Sequence, residues 1–323
     1  MRIAVTGSIA TDHLMTFPGK FTDQLVADKL DKVALSFLVD ELQIRRGGVA
    51  ANISFGLACL GLRPTLPISS VGPDFAEYRA WLERHGVDTS GVRESMLRHT
   101  ARFVATTDLM GNQIASFYAG AMCEDVQIEL GPLTDGCDLV LIGATDPEAM
   151  LGFTSQCRKL GLPFAADTSW QLARVEGADV HELVDGAAYL FSNEYEAALI
   201  EQKTGWTSAE VVSHVGTRVT TLGAGGARIE QVGELAMEVP GIADARMAEP
   251  TGAGDAFRSG VLAAVAWGLS LERAAQLGNL LAVHALETVG TQEYNLKPGP
   301  LAYRFAAAYG DAAAAEVAGY LPG

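Results

Sequence analysis

Pro250-Thr251-Gly252-Ala253-Gly254-Asp255-Ala256-Phe257 is a turn of small residues that leads directly into an apolar segment ending near Trp267. Small residues in front of a helix leave several backbone N–H groups unpaired and uncovered at the positive end of the helix dipole, where an anion can approach closely. Asp255 is a poor anion ligand, because its charge opposes a phosphate. It is well placed to take a proton from a hydroxyl that attacks that phosphate. Together the two features predict phosphoryl transfer, although taken alone the same residues also suit an ordinary helix start.

A second glycine turn stands upstream at Arg46-Gly47-Gly48-Val49-Ala50-Ala51-Asn52-Ile53-Ser54, before a helical pattern of Ile53, Leu57 and Leu60 that Gly61 closes. Its glycines let a ligand rest against bare backbone, and Asn52 offers an amide. In this order the two elements resemble the two signature motifs of the PfkB, or ribokinase-like, family of carbohydrate and nucleoside kinases. Asn193-Glu194-Tyr195-Glu196 resembles the family's N-x-x-E element. The resemblance spans nearly the whole chain. It departs from the family at Glu249, where the second motif usually begins with Asp, and in the stretch between Gly61 and Gly72, which is slightly longer than usual.

Composition fits a soluble enzyme. The 323 residues are 49% hydrophobic and 19% charged, enough to bury one large core, and a single domain with a lid inserted at about 14–46 and 99–121 is expected. The net charge of −16 argues against a nucleic-acid or anionic-membrane partner, and it requires any polyphosphate pocket to be built locally from backbone dipoles, metal and a few cations. Met1 to Gly7 reads as a first strand and not as a signal peptide, and no apolar run reaches the roughly 18 residues of a membrane span, so a cytoplasmic location is expected. Cys59, Cys123, Cys137 and Cys157 lack metal or redox spacing and are expected as reduced thiols.

Short apolar strands at Ile3–Thr6, Leu139–Ile142, Phe164–Ala166, Tyr189–Phe191 and Val219–Leu222 alternate with helical stretches. That rhythm predicts an α/β fold, a mostly parallel sheet covered by helices on both faces. Polar residues follow the strands, at Asp12, Asp167, Asn193 and Thr221 to Gly223, and should converge on one crevice beyond the strands' carboxyl ends. Two regions break the rhythm. Val33 to Leu38 and Leu42 to Arg45 alternate like strands, while Ala101 to Thr107 and Gln113 to Tyr118 predict a hairpin around Asp108–Asn112. Pairing Thr107 with Gln113 sets Ala105 opposite Ala115 and Phe103 opposite Phe117, a slot suited to a flat ring or a cover for the core. These segments match the β-lid of ribokinase-like kinases, whose three-layer αβα core the resemblance also implies.

The resemblance implies roles residue by residue. Asp12 resembles the carboxylate that grips two adjacent ribose hydroxyls. Ser8, Gly48 and Asn52 resemble the floor of the sugar site. Asp255 resembles the general base, and the N–H groups of Gly252, Ala253 and Gly254 the anion hole. Asn193 and Glu196 resemble the pair acting near Mg²⁺ and the nucleotide phosphates, with Glu196 on the metal side through water. Thr221, Gly223 and Gly226 resemble the nucleotide-phosphate turn, and Asn279 a residue near the donor adenine. Within the family the chain is most similar to the actinobacterial-type adenosine kinases, through Gly7 to Met15, His99 to Phe103, Gln113 to Tyr118, Asp146 to Met150 and Gly290 to Glu293. Where those kinases tend to carry Gln-Gln, this chain has Trp170-Gln171, with Gln171 the expected reader of the base edge.

The resemblance therefore implies phosphorylation of adenosine to AMP, a purine-salvage reaction, with ATP and Mg²⁺ and with K⁺ as a further cation, while the lid's exposed alternating strands suggest a homodimer formed through the lid. The alternatives are a ribokinase-like kinase of a free sugar or another nucleoside, and a catalytically silent nucleoside-binding regulator. An intact Asp255 speaks against the silent protein. The aromatic pair speaks against the free sugar.

Overall fold

The computed structural model describes residues 1–25, 35–243 and 245–321. Thirteen strands are present among them: β1 (Ile3–Thr6), β2 (Ala10–Thr16), β3 (Glu41–Gly47), β4 (Leu66–Val71), β5 (Val92–Glu94), β6 (Ala101–Thr107), β7 (Gln113–Tyr118), β8 (Leu139–Ile142), β9 (Phe164–Asp167), β10 (Tyr189–Asn193), β11 (Thr217–Thr221), β12 (Ala227–Glu230) and β13 (Met237–Val239). Nine of them form one sheet in the order β13-β12-β11-β10-β9-β8-β1-β4-β5. Its pairs are parallel from β5 through to β11 and antiparallel only at β12 and β13.

Strand alternation divides the core between the two faces of this sheet. Ile3, Val5, Leu139 and Leu141 point to one face, where the helices Val49–Cys59, Ala253–Ala266 and Leu271–Leu286 cover them. Ala4, Val140 and Ile142 point to the other, under Pro147–Leu160, Gly177–Val184 and Glu194–Thr204. The result is the expected αβα sandwich. All four cysteines are free. Among the described residues no helix is long and apolar enough to cross a membrane.

The other four strands make a separate sheet, β3-β2-β6-β7. The predicted hairpin is present in the predicted register, with Thr107 opposite Gln113, Ala105 opposite Ala115 and Phe103 opposite Phe117. The small sheet begins at Ala10, ahead of the expected boundary near residue 14, so Asp12 sits in the middle of a lid strand and not beyond the end of the first core strand. The strand expected at Val33 to Leu38 does not form in its described part. Leu35 to Leu38 lack ladder partners, and Val33 and Ala34 lie outside the described residues. Phe37 instead packs on Phe17 and Phe21, with ring centroids 5.0 and 4.9 Å apart, so its apolar side chain serves a local aromatic cluster.

Candidate active site

The glycine turn opens the Ala253–Ala266 helix as its sequence predicts. Gly252 is left-handed, with φ +81°, and a Cβ there would lie 2.8 Å from the Thr291 side chain, so both the conformation and the space demand glycine. One turn on, the partly buried Asp255 accepts a hydrogen bond at Oδ2 from Asn52 Nδ2, at 2.8 Å. Burial pushes its carboxyl above the ordinary range, opposed by the Arg258 charge and the Asn52 bond. An elevated pKa in a water-poor cleft suits a group that must accept a proton near neutrality.

Asn52 is fixed from behind. Its Oδ1 accepts from Thr291 Oγ1 at 2.8 Å and from Gln292 Nε2 at 2.9 Å. Thr291 also donates to the Arg46 carbonyl at 2.9 Å. Asn52 lines the cavity, with its amide bound to Asp255 and its oxygen to the Thr291-Gln292 pair. Gly48 precedes its helix with φ +97°, and a Cβ there would come 2.5 Å from the Ser8 carbonyl. Ser8 Oγ accepts from Val49 N at 3.2 Å, which joins the two chain segments that floor the site.

A cavity of about 420 Å³ opens in front of Asp255, and Ser8, Asp12, Gly48, Phe103, Phe117 and Trp170 line it. The lid register explains how three of these side chains meet, with Arg45 beside them. Arg45 of β3 is opposite Asp12 of β2, Asp12 is opposite Phe103 of β6, and Phe103 is opposite Phe117 of β7, so one row across the sheet carries a cation, a carboxylate and two aromatics on a single face. Burial and the charge of Glu249 raise Asp12 to about 6, against the pull of Arg45. Phe117 meets Trp170 of the core edge-on, with ring centroids 5.5 Å apart. Both rings are substantially exposed, at 43% and 40%.

Gln171 departs from its expected role. It is fully buried, its Nε2 donates to the Thr145 carbonyl, and it does not line the cavity, because the backbone turn that presents Trp170 to the site points the next side chain inward. The indole stands where the amide was expected. The aromatic and long-range members of the site had weaker signals in the sequence: Trp170 was visible as a departure, and Thr291 and Gln292 as part of a similar phrase, but nothing local indicated their partners.

A second cavity, of about 410 Å³, lies on the other side of the glycine turn. Thr221, Gly223, Gly226 and Asn279 line it, together with Pro250, Ala253 and Gly254 of the glycine turn. Asn279 Nδ2 donates to the Pro240 carbonyl at 3.1 Å and to Tyr309 Oη at 3.2 Å. A smaller cavity of about 290 Å³ joins the two, and there Asn193, Glu196, Thr221, Gly254, Asp255 and Arg258 face one another. Asn193 and Glu196 cap their helix reciprocally, Glu196 N to Asn193 Oδ1 and Asn193 N to Glu196 Oε2, both at 2.8 Å. Two compartments that meet at the glycine turn, with a carboxylate at the junction, make an arrangement suited to moving a phosphoryl group from a donor to an acceptor hydroxyl.

Glu249 ties this centre to the lid. Its Oε2 accepts from Arg45 Nη1 at 2.5 Å and from Gly290 N at 3.0 Å. Arg46 reaches across in the same way to Glu293, at 2.9 Å.

Known proteins are similar to this chain in sequence and fold. A nucleoside kinase from Burkholderia thailandensis, solved in complex with inosine, is 31% identical, superimposes with a TM-score of 0.84, and covers 95% of this chain and 99% of its own. A nucleoside kinase from Methanocaldococcus jannaschii is 28% identical over 90% of this chain and 92% of its own length. One from Methanothermobacter thermautotrophicus is 27% identical over 88% and 92%. The pfkB family carbohydrate kinase pattern matches residues 10–298, from the first lid strand to the helix that follows Gln292, and with both signature turns and the two-compartment site inside that span the chain belongs to the PfkB family of kinases.

Proposed function

We propose that this kinase transfers the γ-phosphoryl group of ATP to the 5′-hydroxyl of a purine nucleoside, with adenosine as its substrate and AMP as its product. The observation that carries this reading is the row of Asp12, Phe103 and Phe117 across the lid, closed by Trp170 from the core and opening onto Asp255. A carboxylate beside aromatic rings matches a molecule with a vicinal diol at one end and a flat heterocycle at the other. A free sugar fills the first feature and leaves the second empty. The inosine held by the Burkholderia relative supports a purine nucleoside in the corresponding place.

In this mechanism Asp255 takes the proton of the 5′-hydroxyl as its oxygen bonds to the γ-phosphorus, the bond to the β,γ-bridging oxygen breaks, and ADP leaves. The N–H groups of Gly252, Ala253 and Gly254 meet the charge on the transferred oxygens. Asn52 keeps the acceptor oxygen of Asp255 aimed. Closure of the lid excludes water, which the same base would otherwise activate. Thr221, Gly223, Gly226 and Asn279 hold the nucleotide, and Asn193 lies at the phosphate end. Mg²⁺ would neutralise phosphate charge when bound, and Glu196 would be the carboxylate that helps hold it. The exposed edge strand β7 belongs to the same proposal as the contact of a lid-to-lid homodimer, which light scattering measures.

A coupled assay of MgATP turnover against adenosine, inosine, cytidine, ribose and fructose tests the reading. Adenosine should give the highest kcat/KM. A tenfold or larger preference for ribose or fructose would assign the site to a free sugar.

A further inference from the structure

A buried cation also borders the site. Arg258 lies on the Ala253–Ala266 helix, one turn after Gly254, and is 8% exposed. Its Nη2 donates to Asp167 Oδ1 at 2.7 Å, and Asp167, at the end of β9, is 1% exposed. The guanidinium folds back along the helix toward the anion hole, so that a Cβ on Gly254 would lie 2.7 Å from Nη1. Among the described residues the bond to Asp167 is the only hydrogen bond the guanidinium makes, and Nε is buried without a partner.

A buried ion pair that served only to join a helix to a strand would be expected to use its donors fully, because unpaired buried polar groups are costly. Here one arm is anchored, while the other is left free beside the glycine whose N–H belongs to the anion hole. The surroundings supply a reason. Among the described residues Arg258 is the only basic side chain lining any of the three cavities, and the one it borders otherwise presents the carboxylates of Asp255 and Glu196. In a chain of net charge −16, a polyphosphate brought to that place needs a fixed positive charge.

We propose that Arg258 is a further catalytic residue: its Nη1 donates to an oxygen of the phosphoryl group as it passes between nucleotide and acceptor, and Asp167 is the positioning residue that holds the guanidinium toward Gly254. The inference rests on the phosphotransfer reading above but not on the identity of the acceptor. Arginines that meet a transferring phosphoryl group are worth about 10³–10⁵ in turnover, and a bond from Nη1 to that group would be made to an ATP analogue and not to ADP.

The test compares binding of ADP with that of the β,γ-imido analogue of ATP, by calorimetry without acceptor, for wild type, Arg258→Met, Arg258→Lys and Asp167→Asn, with turnover measured in parallel. Arg258→Met should weaken the analogue by roughly tenfold or more while ADP changes less than about twofold, and kcat should fall by at least about a hundredfold. Arg258→Lys, which keeps the charge with a shorter reach, should recover part of both and serves if the Met variant does not fold. Asp167→Asn should retain the preference for the analogue. Equal weakening of ADP and analogue, or an Asp167→Asn variant that matches Arg258→Met in both readouts, would reduce the pair to a structural link. Because binding is read without a nucleoside, failure of the proposed substrate would leave this outcome readable.

Discussion

The anion hole and the lid contribute to the same site in opposite physical styles. Around Asp255, four distant segments converge in a closed hydrogen-bond chain: Asp255 to Asn52, and Asn52 to Thr291 and Gln292, with Arg258 bound to Asp167 alongside. Most of these side chains are buried, and each has little room to move. The lid is a four-stranded sheet whose outer strand β7 is exposed throughout, held to the core by the Arg45–Glu249 and Arg46–Glu293 ion pairs and the Phe117–Trp170 contact. On the proposed function, chemistry rests on the largely buried network of the core and recognition on the lid, whose partly exposed contacts are individually weak. Damage to the first should appear in kcat, and damage to the second in nucleoside affinity.

The largest break in that comparison is Asp255→Asn. It should bind nucleoside and MgATP nearly as wild type yet lose roughly two to four powers of ten in kcat, the scale of a general base. Steady-state rates paired with calorimetry check it, and a variant that keeps more than a tenth of the rate would place the base elsewhere. Phe117→Ala tests the other side. Loss of one stacking ring, at about 1–3 kcal/mol, should weaken adenosine by roughly ten- to a hundredfold and leave the nucleotide affinity little changed. Adenosine binding as tight as wild type would show that the aromatic row only covers the core.

Proton linkage gives a smaller and sharper effect. Burial raises Asp12 to about 6, so its carboxyl is protonated below that pH and ionised above it. Only the ionised form accepts two hydroxyl bonds, hence kcat/KM for the nucleoside should fall by up to about tenfold per unit as pH drops below 6. In Asp12→Asn this limb should vanish from a lower plateau. If it persists unchanged, the titration belongs to Asp255, whose carboxyl is also raised. The smallest effect concerns K⁺. Because Arg45 already sets a positive charge on Glu249, rates in K⁺ and Li⁺ at constant ionic strength should agree within about twofold. A strong response to K⁺ would mean that the longer carboxylate still supports a cation site.

Local patterns carried much of this in the sequence. Small residues before an apolar run marked the Ala253–Ala266 helix and its acid, and period-two alternation about a five-residue loop set the Phe103–Phe117 register. Alternation failed at Leu35 to Leu38, where Phe37 joined an aromatic cluster, Leu38 stayed exposed and the segment found no strand to pair with. The unread part of the site is long-range. Asn52 meets Asp255 across 203 positions and Thr291 across 239, and Arg45 meets Glu249 across 204. No local spacing encodes such partners. They arise because α/β winding brings strand ends and helix starts to one crevice. Gln171 and Trp170 show the same limit at shorter range, since a single residue's turn of backbone decides which of two neighbours faces the ligand.

In the proposed complex a nucleoside spans lid and core with its 5′-hydroxyl at Asp255. Phosphorus and proton NMR of the product formed from MgATP and adenosine, with 5′-deoxyadenosine as a parallel substrate and competitor, tests it most directly. The account predicts 5′-AMP as the sole phosphorylated nucleoside, with 5′-deoxyadenosine binding competitively and remaining unphosphorylated. Phosphate at the 2′ or 3′ position, or adenosine left unmodified while ribose is phosphorylated, would contradict it.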